Sequence, residues 1–348
     1  MLSGDRASTV TQSVLTESQC SSETAPPPLV PPPVSPSSSL LPPKRRQTKT
    51  VPSVAPRLLV STVDGVARAV DHLSFNGCTR ALVVDIESVT MDASAGRGVS
   101  VIQVMPVGPE HGVAYVFDVH GLGWVDVDTP RSVALETPGK RQTSTTLGTL
   151  LESPAVCKFM LDPRRDASML FHLHGIRLTN VVDLQVVHAV TEACQGLTAT
   201  DTRFPRVSMF TPTTGLLDVY TNVMDAPDKL RERIAETEAV GHAMYAPSHG
   251  GNPEVWAARP LHPSLYRYAA LGVVYVSRVM DGMREALARL APDTHAAAWQ
   301  TISRLCADQL ARACRPGDFS PFDVTDVFLV AEFDVATLSP HRVRDGYV

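Results

Sequence analysis

The sequence has 348 residues, a formal net charge of −5 and 44% hydrophobic side chains, enough apolar material for a sizeable core in one large domain or two small ones. No run of about 18 apolar residues occurs, so no membrane-spanning helix is expected, and Met1-Leu2-Ser3-Gly4-Asp5-Arg6 lacks the basic start and apolar stretch of a secretory signal. The acidic balance argues against a protein that coats nucleic acid by charge alone.

Residues 1–56 are rich in Ser, Thr and Pro, with Pro26-Pro27-Pro28, Pro31-Pro32-Pro33 and Pro42-Pro43. Such a segment cannot bury enough apolar surface to offset its ordering entropy, which predicts a disordered tail of polyproline II character. Lys44-Arg45-Arg46 with Lys49 reads as a solvated linker, with a nuclear-import signal or electrostatic tether as the alternative. From Arg57 the pattern is globular. A helix is predicted over 63–73 with Val66, Ala67, Val70 and Leu73 on one face. Strands follow over 81–86, 99–104 and 113–119, then a polar insert of low structural signal over 120–146. A short helix is expected over 147–151 and a strand over 156–161. Asp162-Pro163 then opens a helix, Asp as cap and Pro at its first position, that stops at Gly175. Residues 181–193 read as strand running into helix, 196–228 as irregular, and 229–246, 263–290 and 293–314 as helices.

In the last of these, Ala296, Ala297, Trp299, Ile302, Leu305, Cys306, Leu310 and Cys314 are the candidate buried positions, packing on the sheet or forming a dimer face. The order of elements predicts an α/β domain with a mixed central sheet and a mostly helical C-terminal part. The six cysteines show no CxxC and no zinc spacing, as expected of scattered buried thiols in a reducing compartment. His172 and His174 are two apart on a helix, so they do not share a face to hold a metal.

Three stretches could carry chemistry. Asp85 and Glu87 close an apolar strand, and residues two apart point to the same side. Two carboxylates there suit Mg²⁺ or Mn²⁺, the alternative being a solvated strand end. Asp166 lies one turn into the helix after Asp162, where a carboxylate also complements the helix dipole. Arg164 and Arg165 beside it suit phosphate contacts or ordinary surface. Tyr268 and Gly272 stand at i and i+4 on a helix downstream of Trp256 and Arg259-Pro260-Leu261. Asp183, after an apolar pair, reads as structural, capping the next helix.

In order and spacing these stretches resemble the ribonuclease D-like branch of the DEDD 3′–5′ exonucleases, with the Egalitarian-type exonuclease-like proteins as the nearest similarity. Asp85-x-Glu87 matches the first motif, Ile102-Gln103 the following strand, and Leu150 to Lys158 the approach to the second motif, whose aspartate matches Asp166. Asn180 to Gln185 and the Trp256-x-x-Arg259-Pro260-Leu261 lead-in to Tyr268-Ala269-Ala270 complete the set, over roughly residues 60–285. The resemblance implies a ribonuclease H-like 3′–5′ exonuclease fold over 57–290, with residues 291–348 as a helical extension packed on it. It implies catalytic roles for Asp85, Glu87, Asp166 and Tyr268, with the three carboxylates as metal ligands and Tyr268 orienting the water. In such enzymes two Mg²⁺ or Mn²⁺ ions about 4 Å apart activate the water and stabilise the leaving oxygen.

One position departs from that pattern. The third motif is Tyr-x-x-x-Asp, and Gly272 stands at its aspartate; Asp281 is more than two turns further on. Loss of one carboxylate weakens ion binding and slows chemistry that depends on electrostatic placement. Three functions stay open: a binder of single-stranded nucleic acid, RNA in preference to DNA, with weak or absent cutting; an active two-ion 3′–5′ exonuclease on single-stranded RNA or DNA; and an interaction scaffold that has left nucleic acid behind. Lys158, Arg164 and Arg165 are the expected basic rim of a binding cleft. A protein partner through the Pro-rich tail and a homodimer are the further partners considered, and an intracellular site, nucleus or cytoplasm, the expected location.

Overall fold

The computed structural model of the chain describes residues 57–74, 81–89, 98–107, 112–128, 145–196, 228–315, 329–334 and 339–345. The tail over 1–56, most of the polar insert (129–144) and nearly all of the irregular stretch (197–227) lie outside them.

A six-stranded sheet runs in the order β1-β4-β3-β2-β5-β6, from β1 (Arg57–Val60), β2 (Ala81–Ser88), β3 (Val99–Pro106), β4 (Ala114–Asp118), β5 (Cys157–Met160) and β6 (Val181–Asp183). β2, β3 and β4 pair antiparallel, while β1 joins β4 and β5 and β6 extend from β2 in parallel. The three central strands are expected from their Val/Ile-rich runs. β1 is not: four residues next to a Pro-rich tail carry little signal, and Leu58 and Leu59 are exposed.

Alternation along β2 sends its side chains to two cores. Leu82, Val84 and Ile86 join Ile102, Val104 and Phe117 in the layer covered by α1 (Val63–Leu73), α4 (Leu147–Glu152) and α5 (Arg164–His174). Val83 and Met105 point the other way, toward α6 (Leu184–Gly196) and the C-terminal helices. Asp85 and Glu87 share that second face, opposite Gln103 and Val101 of β3. On α1 the buried stripe is Val66, Ala69, Val70 and Leu73, so Ala69 takes the place expected for Ala67, and Thr62 caps the helix by accepting from the Gly65 N–H at 3.1 Å.

Two short helices, α2 (Val119–Leu122) and α3 (Trp124–Asp128), occupy the start of the polar insert. Asp118 accepts from the Gly121 N–H at 2.8 Å at the head of α2, while His174 stacks on Trp124 and His172 meets Phe171 edge-on.

Helix α7 (Asp228–Tyr245) leads through short 3₁₀ turns at Pro247–His249 and Pro253–Ala257 to α8 (Pro263–Val274). The single helix expected over 263–290 is divided at Tyr275, which links α8 to α9 (Val276–Ala288). Helix α10 (Pro292–Ala313) buries Ala298, Ile302, Leu305, Cys306 and Leu310 within the chain's own cores, with Ala296 exposed against expectation. The extension is not helical throughout: Leu329–Asp334 (β7) and Ser339–Asp345 (β8) pair antiparallel. Among the described residues no helix is long and apolar enough to cross a membrane.

Candidate functional site

The site forms where the second face of β2 ends. The strand register turns Asp85 and Glu87 to one side, and α5 brings Asp166 to them from its first turn, where it is buried. Burial raises the proton affinity of all three acids, and the charge of Asp85 adds to it at Glu87 and Asp166. Burial pushes Asp85 up to about 6. Burial first, then the charges of Asp85 and Asp166, pushes Glu87 well above the carboxylate range, and Asp166 is raised in the same direction by burial, Asp85 and Asp162. Arg165 opposes the rise at both Glu87 and Asp166, so its positive charge lies within electrostatic reach of the cluster.

Gly272 decides how the fourth element meets them. α8 packs over β2, β3 and β4, burying Leu265, Ala269 and Ala270 against Val101 and Val116. A Cβ at position 272 would collide with Oδ2 of Asp85 and lie 2.9 Å from its Cγ. The space of a side chain at 272 is therefore filled by the Asp85 carboxylate, which would have to move to admit any residue larger than glycine.

Tyr268 stands one turn earlier on α8. Its hydroxyl is 2.7 Å from that of Tyr245 on α7 and 3.5 Å from Nε2 of His242. Burial, then the charge of Glu87, pushes the Tyr268 phenol far up, and burial followed by Glu87 does the same at Tyr245. The second phenol was not foreseen: Tyr245 precedes Tyr268 by more than twenty residues, and no spacing rule links them. Gly241 makes their approach feasible, since a Cβ there would be 2.6 Å from Cγ of the Tyr268 ring. His242 continues the cluster, stacked on His249 with ring centroids 5.5 Å apart.

Below the site, Arg259 holds the 3₁₀ segment onto the sheet. Its Nε lies 2.8 Å from each carboxylate oxygen of Asp118, its Nη1 donates to the carbonyls of Trp256 and Ala258, and its Nη2 reaches Ser100 Oγ at 3.2 Å. The Trp-x-x-Arg-Pro-Leu motif is thus a clamp between the third-motif helix and β3–β4. Gln103, in register with Asp85, is fully buried, and its amide finds no hydrogen-bond partner among the described residues.

The expected basic rim is corrected in two places. Lys158 is fully buried, with Nζ donating to the carbonyls of Ser153 and Val156 at 2.8 and 2.9 Å, and burial lowers its ammonium to about 8. It sits on the β5 side that faces the core, so it ties the α4–β5 turn and meets no ligand. Arg164 is buried and paired with Asp162 (Nε–Oδ1 2.6 Å). Asp162 consequently does not cap α5: it takes a left-handed backbone (φ 52°), tolerable for Asp, and Pro163 occupies the cap position. Of the three basic residues only Arg165 is exposed. Asp183 performs its expected capping, Oδ1 accepting from the N–H groups of Gln185 and Asp162.

The donor set has the hard-oxygen chemistry of a Mg²⁺ site. Its placement does not fit an ion pair. Among the described residues no three His, Cys, Asp or Glu side chains are grouped to hold one ion together, and position 272 offers neither a carboxylate nor room for one.

Comparison with known proteins places the fold. The family model described as 3′–5′ exonuclease matches residues 73–288. No protein of curated function matches the sequence. Similar solved structures include Trypanosoma brucei RNase D in complex with GMP, at 20% identity and a TM-score of 0.51, covering 75% of this chain and 64% of that one. Escherichia coli RNase D, an exoribonuclease involved in structured RNA processing, is similar at 18% identity and TM-score 0.45, covering 74% of this chain and 51% of that one. Brucella melitensis NrnC with bound Mg²⁺ is similar at 17% identity and TM-score 0.37, covering 73% and 93%. The chain therefore spans less than two thirds of the chain in either of these RNase D structures, and at these identities the likeness is one of fold.

Proposed function

Because the chain belongs to the 3′–5′ exonuclease family, we propose that it binds single-stranded nucleic acid, RNA in preference to DNA, in the cleft at the end of β2 and that its phosphodiester hydrolysis is weak or absent. One observation carries this reading: Glu87 and Asp166 feel the charge of Asp85, and Tyr268 that of Glu87, while Gly272 stands where the tyrosine-type branch has its last aspartate. Asp85, Glu87 and Asp166 retain the roles of acidic site residues in this proposal, and Arg165 is the phosphate contact. The RNA preference draws support from the likeness of fold to Trypanosoma brucei RNase D, named as a ribonuclease, and an affinity with the Egalitarian-type proteins from the Asn180–Gln185 and Trp256–Ala270 stretches. An intracellular site, nucleus or cytoplasm, completes the proposal. So do a protein partner for the Pro-rich tail and a homodimer.

The second reading is an active, Mg²⁺- or Mn²⁺-dependent 3′–5′ exonuclease. The retention of four of its five motif residues favours it, since a silent site has no chemical need of them. Incubating the full chain with 5′-labelled single-stranded RNA and Mg²⁺ or Mn²⁺ separates the two. The expected result is RNA bound, with an affinity that falls as salt rises, and no ladder of shortened products. A 3′-to-5′ ladder that disappears in Asp85→Ala would establish the second reading in place of the first.

A further inference from the structure

We infer that the acidic site is closed to the divalent ion pair by packing, not merely short of a ligand, and that the chain grips RNA without a metal ion. The inference rests on the nucleic-acid-binding reading and deepens it. Loss of an aspartate by itself would leave a gap at position 272, large enough for a water-held ion. The gap is absent: Asp85 fills it, with its Cγ 2.9 Å from where a Cβ would stand. Neither backbone is free to withdraw. The Asp85 backbone is fixed in the middle of the sheet, paired across to Gln103 of β3. α8 is fixed by Leu265, Ala269 and Ala270, all with no exposed surface, and retreat from β2 would open that core.

Other contacts point the same way. Two ions about 4 Å apart need carboxylates that bridge them, and no three-ligand group forms among the described residues. The Tyr268 hydroxyl is already joined to Tyr245. Arg165 lies within electrostatic reach of Glu87 and Asp166 and offsets part of their negative charge.

The test is a Mn²⁺ titration of the full chain followed by the electron paramagnetic resonance signal of free Mn²⁺, with RNA binding measured on the same samples in EDTA and in Mg²⁺. The expected outcome is no uptake that depends on Asp85 (compared with Asp85→Asn) up to about 1 mM Mn²⁺, and RNA affinity equal in EDTA and Mg²⁺. Gly272→Asp supplies the missing carboxylate but must displace Asp85, so uptake stays absent there too; if the defect were only a missing ligand, this variant would take up Mn²⁺ and overturn the inference. Asp85-dependent uptake by the unaltered chain, or RNA affinity falling by about tenfold or more on chelation, would also overturn it while leaving the nucleic-acid-binding reading intact. Failure to bind RNA in either buffer would sink that reading, and with it the claim of a metal-free grip.

Discussion

Asp183 and Lys158 carry buried charge in opposite senses, and each leaves a mark on stability. Burial, aided by the charge of Asp162, raises Asp183 to about 7, against the N–H bonds from Gln185 and Asp162 and the charge of Arg164. The folded chain therefore holds this proton at a pH where the unfolded chain has released it. Its contribution to stability is full below the ordinary carboxylate range and is lost as pH rises toward 7. Asp183→Asn keeps an oxygen for the two N–H donors and removes the ionisation. Urea midpoints measured between pH 4 and 7 are expected to fall less steeply in the variant; an unchanged slope would refute the assignment. Asp85, Glu87 and Asp166 are raised in the same direction, so some slope persists. Lys158 runs the other way: its ammonium, lowered to about 8, destabilises the fold below that pH and ceases to do so as pH climbs toward its ordinary value.

At the scale of elements, two glycines set how close the helices come. Gly272 admits Asp85 beneath α8, and Gly241 admits the Tyr268 ring against α7. In an exposed helix interior Gly→Ala stabilises by about 1 kcal/mol. At Gly241 the sign is expected to reverse, because the added methyl meets ring carbons instead of solvent. Overpacking of this kind costs about 1–3 kcal/mol. Gly241→Ala should lower the unfolding midpoint and change the near-ultraviolet circular dichroism of the Tyr245–Tyr268–Trp256 cluster, whose ring centroids lie 5.3 to 6.3 Å apart. A raised midpoint with an unaltered spectrum would show that α7 yields to the methyl at no cost.

For the whole molecule, the Arg259–Asp118 pair ties the C-terminal helical half to the sheet across 141 residues of chain. Asp118 is 5% exposed, so removing its partner strands a buried carboxylate. Arg259→Gln is expected to destabilise by about 3 kcal/mol or more in denaturant unfolding. Asp118→Asn combined with it should cost less than the sum of the two single changes, since the stranded charge is gone. Additive costs would mean that the pair is not coupled. The clamp also explains why the Trp256-to-Leu261 stretch is legible as a motif: its work is to seat α8, and with it Tyr268 and Gly272, over β2.

The sequence by itself determined the central strands and most of the helices, and its motif resemblance put forward Asp85, Glu87, Asp166, Tyr268 and Gly272 as one set. Those features are local: apolar periodicity, strand alternation and motif order are written in neighbouring residues. Only the tertiary structure decided which basic side chains are left exposed. Lys158, Arg164 and Arg165 look alike in the sequence, yet two are buried by the turn and the helix start that surround them, and only Arg165 stays exposed. Tyr245, Gly241 and the Asp118–Arg259 clamp join positions far apart in the chain, and such contacts have no local signature. The state of Gly272 is the clearest case. A missing carboxylate can be read from a motif, but whether the space behind it is empty or filled depends on how far a helix settles on a sheet, and that distance is set by packing across the entire core.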